Sequence, residues 1–235
     1  AYMERLAGKL GNVTLVVCLD SGCGDYERLW VTTSLRGLVG GVLKVEALSE
    51  GVHSGDASGV VPSPFRILRL LLDRLDDPET GGVRPQALHA AIPPARIEQA
   101  QIAAEALGAQ IFEKFPIVPG LRPCADDHAE LILNRSWRPA LSITGLSGAP
   151  DPGSAGNVLL PYIEAKLSMR LPPRVEAKAA AAELKRILET DPPYGARVSF
   201  AVDEPGTGWD APPVAPWLSA ALEAASQKSW GRPMA

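Results

Sequence analysis

Apolar and polar positions change period several times along the chain, and each change marks an element. Asn12 to Asp20 (NVTLVVCLD) is an almost continuous apolar run, short and rich in valine, which predicts a strand buried on both faces of a parallel or mixed sheet. Such a strand delivers its last residue, Asp20, to the carboxyl edge of the sheet, where open α/β folds place their ligands. Two further strand-like stretches, Arg28 to Leu35 and Gly41 to Leu48, are separated by the Arg36-Gly37 corner and the Gly40-Gly41 pair. A loop of small residues, Glu50 to Asp56, then carries His53. Pro62 to Leu75 has a helical period, with Val61, Phe65, Leu68, Leu72 and Leu75 as the inward stripe and Pro62 in the first turn, where a missing N–H costs nothing. Asp76-Asp77-Pro78 and Gly81-Gly82 stop it.

Residues 83 to 135 are the least legible. Pro93 to Leu107 reads as an alanine-rich helix and Ile117 to Asp127 as a proline-punctuated loop. Pro139 to Leu146 is a strand, and Tyr162 to Leu171 alternates cleanly: Ile163, Ala165, Leu167, Met169 and Leu171 take one face, and Tyr162, Glu164, Lys166, Ser168 and Arg170 the other. That is the pattern of a half-buried antiparallel strand. Val175 to Glu189 follows as a helix with Ala177, Ala181, Leu184 and Leu188 inward, and Ala196 to Val202 as a strand. From Gly41 onward, with the insert at about 83–135 set aside, the order is strand, helix, strand, strand, helix, strand. The predicted fold class is α+β, a ferredoxin-like (split βαβ) sandwich of four antiparallel strands covered on one face by two helices. Glu204 to Pro213 is a linker. Val214 to Trp230 is a last helix whose stripe, Val214, Trp217, Leu218, Ala221, Leu222 and Ala225, has no partner within the sandwich.

Composition narrows the chemistry. Apolar residues make up 46% of the 235 positions and charged residues 21%, as in an ordinary globular protein with a real core. The net charge of -4 comes with no cluster of Lys and Arg in the sequence, which argues against a nucleic-acid partner. No run reaches the ~18 apolar residues of a membrane span. Cys18, Cys23 and Cys124 are odd in number and lack Cys-x-x-Cys spacing, so they read as reduced thiols and the expected address is the cytoplasm. A Cys18–Cys23 metal clip would need further soft ligands that the neighbouring sequence does not supply. The chain has no nucleophile elbow, P-loop, dinucleotide fingerprint, His-Glu-x-x-His or Glu-Glu pair.

Four polar residues remain as candidates. Asp20 is either a cap at a strand end or a metal ligand. His53 is either a solvated loop residue or a polar group held between two regular elements. Arg170, on the wet face of its strand, is either a surface residue or a bidentate carboxylate receptor. Asn157 either orients a substrate amide or fills a turn. Ser54 has no base spaced to activate it as a nucleophile.

These residues lie in motifs that run in a familiar order: Val17-Cys18-Leu19-Asp20-Ser21-Gly22, Leu35-Arg36-Gly37, Gly51-Val52-His53-Ser54-Gly55, Ser136-Trp137-Arg138-Pro139 and Leu167-Ser168-Met169-Arg170-Leu171-Pro172-Pro173. The order and spacing resemble the carnosinase-type di-zinc metallopeptidases, a superfamily that includes succinyl-diaminopimelate desuccinylases, aminoacylases and glutamate carboxypeptidases. The resemblance implies two Zn²⁺ per active site in an α/β catalytic domain, and an inserted ferredoxin-like lid that forms the homodimer. It implies that Asp20 is a terminal zinc ligand, that His53 reaches the partner subunit's centre to stabilise the oxyanion, that Arg170 grips the substrate carboxylate, and that Asn157 lies near the substrate. The substrate implied is a small peptide or N-acyl amino acid. The family's His-x-Asp motif, bridging aspartate, Glu-Glu pair and last zinc histidine have no match here. The chain is therefore expected to be an internal fragment: 1–36 and 205–235 as partial catalytic-domain segments, 37–204 as the lid, inactive alone and not holding the zinc pair. The alternative is a non-catalytic ferredoxin-like module for dimerisation or small-ligand binding.

Overall fold

A computed structural model describes residues 2–19 and 22–235. In chain order the elements are α1 (Tyr2–Leu10), β1 (Ser34–Leu35), β2 (Gly37–Glu46), β3 (Val52–His53), α2 (Ser54–Ala57), α3 (Pro64–Leu72), α4 (Pro94–Leu107), α5 (Gln110–Glu113), α6 (His128–Ser136), β4 (Ala140–Ser147), β5 (Val158–Leu159), β6 (Tyr162–Leu171), α7 (Ala177–Glu189), β7 (Arg197–Val202), β8 (Trp209–Asp210) and α8 (Pro216–Trp230). The architecture is mixed α/β with antiparallel sheets. The main sheet has the order β4-β6-β2-β7, and β1-β8 and β3-β5 form two short ribbons.

The alternation read for β6 predicts its register and its buried face. Tyr162 to Leu171 pairs along its whole length with Glu46 to Gly37, and Ile163, Ala165, Leu167, Met169 and Leu171 are all buried. Together with Val39, Leu43 and Val45 of β2 and Phe200 of β7 they form the floor of the core, and Ile67, Leu68 and Leu71 of α3 and Ala180, Leu184 and Leu188 of α7 cover it. Each fully buried Leu or Ile contributes about 1.5–3 kcal/mol by leaving water. The expected separator Gly40-Gly41 lies inside β2 instead. A Cβ on Gly41 would fall 2.5 Å from the Phe200 ring, so the glycine makes room for an aromatic side chain on the neighbouring strand and does not end its own.

Helix α3 begins where its cap dictates, with Ser63 Oγ accepting the Phe65 N–H at 3.2 Å. Its buried stripe is Ile67, Leu68, Leu71 and the following Leu75; Phe65, expected inward, is 49% exposed. Just beyond it, Arg74 donates to the carbonyls of Ile187 (3.0 Å), Thr190 (2.7 Å) and Asp191 (2.7 Å). These are the acceptors at the end of α7, so one guanidinium caps that helix and ties it to α3. Arg74→Ala is expected to lower stability by about 2 kcal/mol in urea unfolding, against a change below about 0.5 kcal/mol if the fork were only decorative.

The apolar run from Asn12 is not a buried strand. Its described residues, 12–19, join no ladder, and Val16 and Leu19 are 78% and 91% exposed. A strand buried on both faces needs a strand on either side and a layer above and below, and among the described residues none pairs with it. Of the Arg28–Leu35 stretch, only Ser34 and Leu35 form a strand, against Asp210 and Trp209. The illegible region holds helices α4, α5 and α6, which enclose a second, smaller core of Ala100, Ala104, Ile111, Ile132, Leu133 and Trp137. Helix α8 turns only part of its expected stripe inward: Val214, Leu218 and Leu222 are half-buried, but Ala221 and Ala225 are exposed. Ser226 is buried and its Oγ accepts the Leu29 N–H at 3.2 Å, whereas Trp217 is 59% exposed. The predicted linker carries β8, whose Asp210 joins α4 to the turn after β6. No helix among the described residues is long and apolar enough to cross a membrane.

Candidate functional site

His53 is held from both sides. The β2 and β6 ladder breaks after Glu46 and resumes as β3 on β5, with His53 opposite Val158 and the Ser54 N–H donating to the Asn157 carbonyl at 2.9 Å. The imidazole also caps α2: Nδ1 accepts the Gly55 N–H at 3.1 Å. A neutral imidazole has one acceptor and one donor nitrogen, so this bond assigns the proton to Nε2. His53 is exposed, and no hydrogen bond among the described residues uses that Nε2–H. Gly55 leaves the ring room to make this bond, because a Cβ there would lie 2.9 Å from the ring atoms Cε1 and Nδ1. The fold thus delivers an oriented, unused donor on a ribbon that also carries Asn157, whose backbone carbonyl is bonded to the Ser54 N–H.

Arg170 lies elsewhere. It sits near the far end of β6, opposite Leu38 on one side and Ala140 on the other, is exposed, and has no carboxylate partner among the described residues. The span of β6 from Tyr162 to Arg170 is about 26 Å at the rise of a strand. The structure therefore brings His53 and Asn157 together and sets Arg170 apart from them. Asp20 lies outside the described residues.

Sequence reasoning missed two constellations. The first surrounds Arg170. Arg36 immediately precedes β2, on the face that carries Leu38 and Arg170, and its Nη1 donates to the Asn134 carbonyl at 3.4 Å. Burial lowers the pKa of Arg36, and the adjacent guanidiniums of Arg170 and Arg135 lower it further. The period-2 rule could have placed Arg36 with Arg170, but Arg135 rides on α6, which the sequence did not reveal. The second constellation is structural. Arg96 Nη2 and Nε donate to Asp210 Oδ1 at 2.6 and 3.1 Å, and Arg174 Nε donates to Oδ2 at 2.7 Å. Burial alone would raise the Asp210 pKa, but the bonds from Arg174 and Arg96 outweigh it and hold the carboxyl below its ordinary range.

Among the described residues no three His, Cys, Asp or Glu side chains come together as a metal site, so these residues do not fit a zinc centre. An apolar cavity of about 350 Å³ opens between the 30–34 segment, α4, α6 and α8, lined by Trp30, Ala100, Ile132, Trp137 and Leu222. Neither His53 nor Arg170 lines it.

The fold has counterparts among solved structures. Human carnosine dipeptidase 1 superposes with a TM-score of 0.64 at 19% identity, over 88% of this chain and 44% of that one. The dipeptidase Dug1p of Saccharomyces cerevisiae does so with a TM-score of 0.67 at 20% identity, over 88% and 43%. An M20 family metallo-carboxypeptidase of Sulfolobus solfataricus gives a TM-score of 0.67 at 16% identity, over 99% and 52%. The chain spans about half the length of these structures, and at such identities the likeness is one of fold. A search of curated protein sequences gives no significant match. The family comparison is the decisive one: residues 33–196, which hold the whole main sheet apart from its last strand and both of its helices, match the peptidase dimerisation domain of the M20 peptidases, and the chain belongs to that family.

Proposed function

We propose that this chain is the ferredoxin-like dimerisation lid of a zinc-dependent metallopeptidase that hydrolyses the amide bond of a dipeptide or N-acyl amino acid next to a free carboxylate. Residues 37–204 make up the lid, with the insert at about 83–135, and 1–36 and 205–235 belong to the catalytic domain. The sheet order β4-β6-β2-β7, with two helices packed into one core, is the order expected of a split βαβ sandwich. The zinc pair, which would activate the attacking water when bound, belongs to segments not found in this sequence, and the isolated chain is inactive. Three exposed, unpaired cysteines agree with a reducing compartment such as the cytoplasm.

The observation that carries the reading is the separation of His53 from Arg170. A dipeptide is about 7 Å long when extended. One lid cannot present both ends of β6 to one such substrate, so the two residues serve different centres in a homodimer. Arg170 holds the substrate carboxylate bidentately in its own subunit. The Nε2–H of His53, with Asn157 beside it, enters the partner's centre and donates to the oxyanion as the amide carbon becomes tetrahedral.

The dimer needs a surface, and β4 supplies one. It is an edge strand of eight residues without a charge, and Ile143 and Leu146 on it are 41% and 60% exposed. Long, uncharged edges recruit a second strand. Leu146→Glu is expected to raise the dimer dissociation constant at least about tenfold in sedimentation equilibrium, since it sets a charge at a desolvated contact. An unchanged association state would remove β4 from the interface.

A further inference from the structure

The guanidinium of Arg170 has company that a receptor for one carboxylate does not need. Several arginines face an acid: Arg84 meets Asp73 and Asp77, Arg96 and Arg174 meet Asp210, Arg138 meets Glu130, and Arg186 meets Glu183. Arg36, Arg135 and Arg170 converge from three separate parts of the chain, and none of them forms an ion pair with an acid among the described residues. The β2–β6 register puts Arg36 on the same face as Arg170, one step along the strand, and the bond from Arg36 to the Asn134 carbonyl brings the end of α6, which carries Arg135, to that side of the sheet. The C-terminal carbonyls of α6 account for one of these cations, through the Arg36 bond. They do not account for three. Burial is the main cause of the lowered pKa of Arg36, and the neighbouring charges of Arg170 and Arg135 add to it, since like charges gathered without counter-charge repel one another. A chain carrying a net charge of -4 concentrates an uncompensated positive field at this end of β6.

We infer that Arg36 and Arg135 extend the Arg170 receptor to a second anionic group, so that the substrate class is one with an acidic residue, aspartate or glutamate, at the carboxylate end. This rests on the assignment of Arg170 to the substrate carboxylate. Arg170 takes the main-chain carboxylate, and Arg36 and Arg135 take the side-chain carboxylate. Arg36 is the more rigid of the two, because it is half-buried and bonded to α6; Arg135 is exposed and supplies the adaptable charge.

The test is titration of the 235-residue chain with N-acetyl-L-glutamate and its neutral isostere N-acetyl-L-glutamine, followed through the arginine Nε–H resonances at low ionic strength. The wild type is expected to favour the glutamate ligand by about tenfold, and the preference to shrink as salt is added. Arg135→Gln, a surface change that leaves the fold intact, should bring the two ligands to within about threefold, while Arg170→Gln should weaken both alike. Equal affinity for the two ligands, no binding of the glutamate ligand, or a preference that survives Arg135→Gln would overturn the inference. The role of Arg170 is judged separately: it stands if both ligands bind and Arg170→Gln weakens both, and it falls if Arg170→Gln changes neither or if neither ligand binds.

Discussion

Replacing His53 by alanine in the full-length peptidase is expected to lower kcat on the order of 100-fold or more, with KM within about threefold of wild type. The split between the two constants follows from the geometry. His53 offers a donor, Nε2–H, whose other ring nitrogen is already committed to the Gly55 N–H. That donor matters when charge appears on the amide oxygen and matters little to the ground-state substrate, whose carboxylate is held elsewhere. The loss should not come from unfolding, because the imidazole is exposed and the Gly55 N–H it releases can turn to water. Circular dichroism and steady-state kinetics on the same preparation separate these causes. Full turnover in the variant would favour a non-catalytic dimerisation module.

Asp210→Ala is the change with the largest expected effect on stability, about 2–3 kcal/mol. The Asp210 side chain is 13% exposed and receives three hydrogen bonds from two guanidiniums, of which Arg96 is 11% exposed. Removing the acid strands a mostly buried cation. The cost stays below that of a bare buried charge because Arg96 keeps the Ala211 carbonyl and the Gln99 Oε1, both at 2.8 Å. The pair also makes stability depend on pH. Since folding lowers the Asp210 pKa below its ordinary 3.8, its contribution is complete above that value and is lost as pH falls through the lower, folded-state value. Wild type should therefore lose stability more steeply than Asp210→Asn in acid, in urea midpoints measured from pH 6 downward. Parallel curves would mean the triad contributes nothing. The same variant should loosen the 83–135 insert first, since Arg96 is its bonded link to β8.

What could be read from the sequence follows from how many faces each element buries. β6 and α7 each bury one face against one core, so period 2 and period 3.6 gave their limits and inward residues almost unchanged. Asn12 to Asp20 has a pattern compatible with a fully buried strand, but burial on two faces is a property of neighbours, and its described residues have none in a sheet. Helix α6 escaped because its apolar residues, Ile132 and Leu133, face a small second core and leave a weak stripe. Among the candidate residues, the loop holding His53 was legible as small residues around one imidazole. Its tautomer, its pairing with Val158 beside Asn157 and its distance from Arg170 depend on the β3–β5 ribbon and the length of β6. The company of Arg170 could not be read at all, because residues 36, 135 and 170 meet only through the β2–β6 register and a helix that gives little signal.

The central claim is that His53 and Arg170 of one lid serve two different centres, and hybrid dimers test it directly. Full-length His53→Ala and Arg170→Ala subunits, each nearly inactive alone, are mixed in equal amounts and allowed to exchange. In a hybrid, the His53→Ala subunit keeps its own Arg170 and receives an intact His53 from its partner, so one of the two centres is restored. Random pairing then predicts recovery of about one quarter of wild-type activity. If both residues served the centre of their own subunit, every centre would carry one lesion, and the mixture would stay as inactive as its parts.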